Sequence, residues 1–308
     1  MINPTLSIRT RSDLDKQIEK VLRGLGNPAP PLDLRLVREL LVLDREFYNS
    51  DDDGVLRETV SKLKIAGIQV LKRPSLLREA IRKFSLKALY LPDQKRILLD
   101  EATPKLKHRW SEAHEIGHSV IPWHDGMMLG DDKQTLLPLC HEQMEAEANY
   151  AAGQLIFLST RFRTEALDHL PTIDNVKKLA SAYGNTATST LWRFVEEAHR
   201  DLPMFALVTG HPHIACRESS FDPNNPCRYY IQSPAFRLRF GQYSDVDMFA
   251  LITTYCGAQR GGLLGQGERL LADANGTVHR FDCQTFFNRY DALTLGVWRG
   301  VAPSSNFS

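Results

Sequence analysis

No Cys-x-x-Cys pair occurs in this 308-residue sequence, and its five cysteines are an odd number. Both facts argue against a disulfide framework and fit reduced thiols. No apolar run approaches the ~18 residues that a membrane-spanning helix needs. Residues 1–14 hold Arg9, Arg11 and Asp13 but lack the apolar stretch of a secretory signal. A soluble, cytoplasmic protein is therefore expected, with no membrane partner. Internal repeats and low-complexity tracts are also missing. So is a charge excess of either sign: 38 Lys+Arg stand against 37 Asp+Glu, a net charge of +1. That balance gives no reason to expect a dedicated nucleic-acid binder.

What is present is the composition of a globular protein, 43% hydrophobic and 24% charged. At about 150 residues per domain the length suggests roughly two domains. Such a chain buries a full core without needing a disulfide or metal to hold it. Charge is separated along the chain even though the total cancels. Residues 57–109 carry a net +9 and residues 111–150 a net −7, which fits two segments that pack together.

Proline and glycine divide the chain. Pro28, Pro30 and Pro31 end an N-terminal helix near Arg23, and Asp33 caps a helical pattern running to Asp44. Residues 55–64 read as a helix and 67–71 as a short strand. Residues 87–91 and 96–100 read as two strands around the turn 92–95. A helix is expected over about 105–120, stopped by Pro122, then a polar loop over 124–138 and a second long helix over 141–158. Two further helices follow, one holding Val176, Leu179 and Tyr183 and one over 190–199. From Pro203 strands dominate: 204–209, 228–232, 268–274, 277–282 and 292–298. Asn275-Gly276 is a hairpin signal, because both residues tolerate positive φ. The glycine-rich stretch 261–267 lacks the Gly-Lys-Ser/Thr end of a phosphate loop and reads as a flexible loop.

His114-Glu115-Ile116-Gly117-His118 is an H-E-x-x-H motif. On a helix, positions i and i+4 share a face, so both imidazoles reach one metal ion. Glu115 is then placed to serve as general base toward a water. Two residues compete as third ligand. His124 lies six positions after His118, the metzincin spacing, but that pattern wants a glycine where Ile121 stands. Glu145 lies on the second long helix, with Ala148 and Ala152 following at i+3 and i+7. Such a small-residue stripe lets two helices approach, while Glu147 points about 200° away round the helix.

Ala113-His114-Glu115-Ile116-Gly117-His118, followed by Glu145-Ala146-Glu147-Ala148-Asn149-Tyr150-Ala151-Ala152, resembles the ImmA/IrrE family of zinc metallopeptidases. The resemblance covers residues 30–200 and departs from the family pattern at Tyr150 and over 156–159. It implies Zn²⁺ held by His114, His118 and Glu145, Glu115 as general base, and a protein substrate, a helix-turn-helix transcriptional repressor cleaved in a stress or mobile-element response. The helices around residues 176–194 resemble the family's helix-turn-helix-like module, although Lys177, Lys178, Arg193 and Arg200 are few for DNA binding. His124 and His141 are candidates for assisting at the transition state.

The expected fold class is α+β. Residues 1–30 form an extension, 31–160 a mainly helical zincin-like peptidase with a small sheet, 161–202 helix-turn-helix-like helices, and 203–308 an α+β domain of sensor or regulatory type. Strand 96–100 is the expected edge for an extended substrate. His211, His213, Cys216 and Cys227 match no usual zinc spacing and read as loop residues. The competing reading is a DNA-binding or sensor protein whose zinc is structural, closed by His124 as a fourth ligand.

Overall fold

Ser7 and Asp33 start the first two helices. Each accepts a backbone N–H of the opening turn, from Thr10 and Arg35 respectively. The computed structural model describes residues 6–48, 88–91, 95–101, 105–124 and 138–303. The expected helix 55–64, strand 67–71 and the interior of the loop 124–138 lie outside the described residues. The described chain is α+β and divides into two compact units, residues 1–159 and 160–308. Among the described residues, no helix is long and apolar enough to cross a membrane.

In the first unit, α1 (Ile8–Gly24) and α2 (Leu34–Leu41) lead into β1 (Asp44–Tyr48). The helical pattern expected to reach Asp44 stops at Leu41, because Val42 takes a left-handed φ of 56° and turns the chain into the strand. β2 (Ala88–Leu91) and β3 (Arg96–Asp100) form the expected antiparallel pair. β1 then adds to β3 in parallel, giving the order β1-β3-β2. Strand 96–100 is therefore central, not the edge expected from sequence. Its Ile97, Leu98 and Leu99 are buried.

One long helix, α3 (Lys105–Val120), packs on this sheet, and a second, α4 (Pro138–Ile156), packs on α3 and α1. Where α3 and α4 pack together, Ala113 and Ile116 of α3 and Ala148, Ala151, Ala152 and Leu155 of α4 are all fully buried. Glu112 ties α3 to the N-terminal elements. Its carboxylate takes Arg38 Nε at 2.6 Å and Arg45 Nη1 at 2.9 Å, largely out of solvent. On the outer side of α4, Tyr150 donates its hydroxyl to Asp15 of α1 at 3.0 Å.

The second unit opens with α5 (Thr160–Leu167), α6 (Ile173–Tyr183) and α7 (Ala187–Arg193), which runs into a π-helical turn, Phe194–Ala198. Its sheet holds β4 (Met204–Thr209), β5 (Cys227–Gln232), β6 (Gly262–Ala272), β7 (Val278–Phe287) and β8 (Ala292–Val301). The order is β5-β4-β8-β7-β6, all antiparallel. Asn275-Gly276 makes the β6–β7 turn, with Gly276 at φ 81°. Residues 262–267, expected as a loop, are the first half of β6. Glycine is needed at 265 because a Cβ there would lie 2.4 Å from the carbonyl oxygen of Tyr255. Between β5 and β6 come α8 (Pro234–Phe240) and α9 (Asp245–Thr253), which bury Phe236, Phe240, Met248 and Ile252 against Phe205 and Phe281 of the sheet.

Candidate metal centre

Helix α3 carries its chemistry on the face turned to α4. His114 and His118 stand one turn apart, and Gly117 lies between them in the turn nearest the neighbouring helix. A Cβ on Gly117 would come within 2.8 Å of the Ala148 carbonyl oxygen. With glycine at 117 and alanine at 148, the helix backbones come close enough for a Glu side chain on α4 to reach both imidazoles.

Glu145 does so. Its Oε2 lies 3.2 Å from His114 Nε2 and its Oε1 3.5 Å from His118 Nε2, while the two Nε2 atoms are 3.2 Å apart. Around a tetrahedral metal with bonds of about 2.0–2.1 Å, neighbouring donor atoms stand about 3.3–3.4 Å apart. The three side chains thus present one donor each at the spacing that a small divalent ion takes. Among the described residues this is the one group of three or more His, Cys, Asp or Glu side chains so arranged. Nitrogen, nitrogen and carboxylate oxygen suit a borderline ion such as Zn²⁺.

The surroundings set the charge state of His118, Glu145 and Glu115. Burial, reinforced by the nearby His114 and His124, brings the His118 pKa down to about 4 despite its hydrogen bond to Glu145. Its ring is neutral at neutral pH, the form that binds metal. Burial would raise the Glu145 carboxyl, but hydrogen bonds from His114 and His118 outweigh it and hold the group well below the usual range. Glu115 faces the opposite balance. Burial pushes its carboxyl up to about 7, against the pull of His114 and of the Tyr90 backbone N–H that it accepts. Only 5% of Glu115 is exposed. The N–H from β2 fixes its carboxylate beside the metal group without making it a ligand.

His124 is brought to the site but not to the three-donor group. After Val120 the chain folds back through Ile121, whose carbonyl accepts the His124 N–H at 3.0 Å. The fully buried His124 ring then stands with Nδ1 2.9 Å from His118 Nδ1 and Nε2 3.0 Å from Glu147 Oε2. Both of its nitrogens are engaged there. His141 belongs to α4, and its side chain is outside the described residues. Glu147 points away from the metal group, as its helix position requires, but into a buried hydrogen-bond network. Two participants are not among the candidate site residues read from the sequence. Asn149 places Oδ1 3.1 Å from His114 Nδ1, and Trp123 donates to Glu147 at 2.6 Å.

Among the described residues, the cysteine and histidine residues of the second unit form no comparable group. His211 Nε2 donates to the Gln259 carbonyl at 2.9 Å, and its Nδ1 accepts the His213 backbone N–H. Cys216 donates to the Ala258 carbonyl, and Cys227, Cys256 and Cys283 are buried free thiols.

Residues 63–194 match the family model of the IrrE N-terminal-like domain, a peptidase family. No curated protein matches the chain. Among solved structures, a Mycobacterium tuberculosis transcriptional regulator is similar at 13% identity and a TM-score of 0.49, over 94% of this chain and 78% of that one. A likeness of that size carries no argument about function.

Proposed function

Since residues 63–194 belong to the ImmA/IrrE family of metallopeptidases, we propose that this chain is a cytoplasmic Zn²⁺-dependent endopeptidase that cleaves a helix-turn-helix transcriptional repressor. The observation that carries this reading is the convergence of His114, His118 and Glu145, with donor atoms 3.2–3.5 Å apart. These three residues would hold the metal. When bound, the metal supplies Lewis acidity toward a water and the scissile carbonyl. Glu115, adjacent to His114 and fixed by the Tyr90 N–H, orients the attacking water, accepts its proton and returns that proton to the departing amine. β2 carries Tyr90 beside Glu115 and, among the described residues, lies at the sheet's edge. An extended peptide aligned along it is directed to the same carboxylate.

The zincin-like peptidase occupies residues 31–160 in this reading, after an extension over 1–30. The division of the chain after Ser159 supports that end point. Residues 161–202 hold the helix-turn-helix-like pair, and the three residues between α6 and α7, with Gly184 in the left-handed region, suit such a turn. DNA is not the proposed partner. Lys177 pairs with Asp174 and lies over the Phe286 ring, and Arg200 pairs with Glu197, so two of the four basic residues noted there are engaged within the chain. Residues 203–308 are assigned a regulatory role.

The test compares wild type with Glu115→Gln at equal zinc content, using purified helix-turn-helix repressors encoded near the gene as substrates. The amide keeps the carboxylate's shape but accepts no proton, so cleavage should fall ~10²–10⁴-fold while metal and fold remain. A Glu115→Gln protein that cuts as fast as wild type removes Glu115 as the general base, and zinc-loaded wild type that cuts none of these repressors favours the structural zinc site.

A further inference from the structure

The buried hydrogen bonds behind His118 run in one direction. A nitrogen that ligates a metal must be bare, so His118, whose Nε2 faces Glu145 and His114, carries its proton on Nδ1. That proton is donated to His124 Nδ1, 2.9 Å away. His124 then holds its own proton on Nε2 and donates it to Glu147 Oε2 at 3.0 Å. Trp123 Nε1 donates to the same oxygen at 2.6 Å, and Gln143 Nε2 to the other at 2.7 Å. Glu147 therefore meets three donors, and a carboxylate has lone pairs for all of them. Every step of the line is fixed by its two ends: an acceptor-only group at Glu147 and a bare nitrogen toward the metal.

We infer that His124 and Glu147 are positioning residues for metal binding: Glu147, acting through His124, holds the His118 ring in the tautomer and orientation that turn Nε2 to the metal. This inference rests on the metal-centre reading above. It assigns a use to the second carboxylate of the Glu145-Ala146-Glu147 sequence. One helix, α4, supplies a ligand at 145 and, two residues on, the anchor of another ligand. Asn149 extends the same logic to His114, whose Nδ1 lies 3.1 Å from Asn149 Oδ1. Asn149 is exposed, so water replaces it readily, whereas His124 is fully buried and Glu147 nearly so. Partners of metal-bound histidines typically contribute ~10–100-fold in metal affinity.

The experiment measures Zn²⁺ affinity of the full chain by chelator competition, and the visible spectrum of the Co²⁺-loaded protein as a report on coordination geometry. Melting of each metal-free variant checks its fold. Glu147→Gln puts an amide N–H among donors and should weaken Zn²⁺ binding ~10–100-fold. His124→Leu should weaken it comparably. His124→Gln restores one acceptor for His118 and one donor for Glu147, so it should bind closer to wild type than to His124→Leu. Asn149→Ala should lose less than either buried change. If Glu147→Gln does not fold, the two His124 variants decide. Wild-type affinity in Glu147→Gln or His124→Leu overturns the inference. So does a His124→Gln protein as weak as His124→Leu with an unchanged metal-free melting point. A wild-type chain that binds no Zn²⁺ overturns the metal-centre reading itself.

Discussion

Gly117 and Ala148 meet with no room between them: a β-carbon at 117 would sit 2.8 Å from the Ala148 carbonyl oxygen and 3.4 Å from its Cα. The atom it would strike is backbone in the middle of a 19-residue helix, so relief requires moving α4 as a body. Gly117→Ala should therefore cost about 1–3 kcal/mol. Because α4 carries Glu145, Zn²⁺ binding should weaken along with stability. Denaturant titration and metal competition on the same sample check both; a variant unchanged in both would show that the helices part without consequence.

Glu145→Ala removes one of three donors, and the two histidines remain with two open directions. Its Zn²⁺ affinity should fall by more than the ~10–100-fold that the loss of a supporting partner costs, and so below that of His124→Leu. The reverse ranking, measured by competition with a common chelator, would make His124 the ligand and Glu145 the accessory.

His199 ends the π-helical turn against the Phe194 ring, centroids 4.4 Å apart, and its buried Nε2 has no hydrogen-bond partner among the described residues. Burial lowers its pKa from the ordinary 6.5, only partly offset by a bond to the Ala166 carbonyl. The unfolded chain thus takes the proton first as pH falls. The contribution of this group to stability is complete above pH 6.5 and is lost as the pH drops from there through the folded value. Urea midpoints at neutral and mildly acidic pH should converge less for the wild type than for His199→Leu, which has no proton to bind. Parallel pH profiles in the two proteins would remove His199 as the titrating group.

Gly296 of β8 pairs across the sheet with Phe205 of β4. A β-carbon at 296 would fall 2.1 Å from the Phe205 ring, which is fully buried and hemmed in by Phe236 and Phe281 at 5.4 and 6.0 Å. Gly296→Ala should destabilise by about 3 kcal/mol. Adding Phe205→Leu should recover part of that loss; additive costs in the double variant would place the strain elsewhere.

Local signals in the sequence were the dependable ones. Helix α3 runs over the residues expected from its amphipathic spacing and Pro122, Asp33 caps α2, and Asn275-Gly276 turns β6 into β7. His114, His118 and Glu145 were legible as a potential metal group because H-E-x-x-H spacing and the Ala148/Ala152 stripe are both helical arithmetic. Long-range pairing left no such trace. β1 joins β3 across some 50 residues of chain, which puts β3 in the middle of its sheet and removes it as the edge. α9 was missed because Met248, Phe249, Ala250, Leu251 and Ile252 run apolar without a period, although Ser244 and Asp247 form a capping box ahead of them. The first half of β6 was hidden by its glycines, whose value lies in the approach of Tyr255. His124 is a candidate from its spacing, but its contacts with His118 and Glu147 are illegible for a different reason. His124, Glu147 and Trp123 meet only after the chain folds back at Ile121.

The last strand of the second unit to be synthesised stands in the middle of its sheet. β8 lies between β4 and β7, pairing Met204–Thr209 with Val297–Ala292 on one side and His279–Phe287 with Val301–Ala292 on the other. During translation β4 and β5 on one side, and β6 and β7 on the other, emerge as two separate ribbons. Each keeps an open row of backbone donors and acceptors until residues 292–301 leave the ribosome. A stop codon even a few residues before 292 would thus release two half-sheets with sticky inner edges, rather than a slightly shortened domain. Residues 292–301 decide whether the two ribbons made before them become a single sheet.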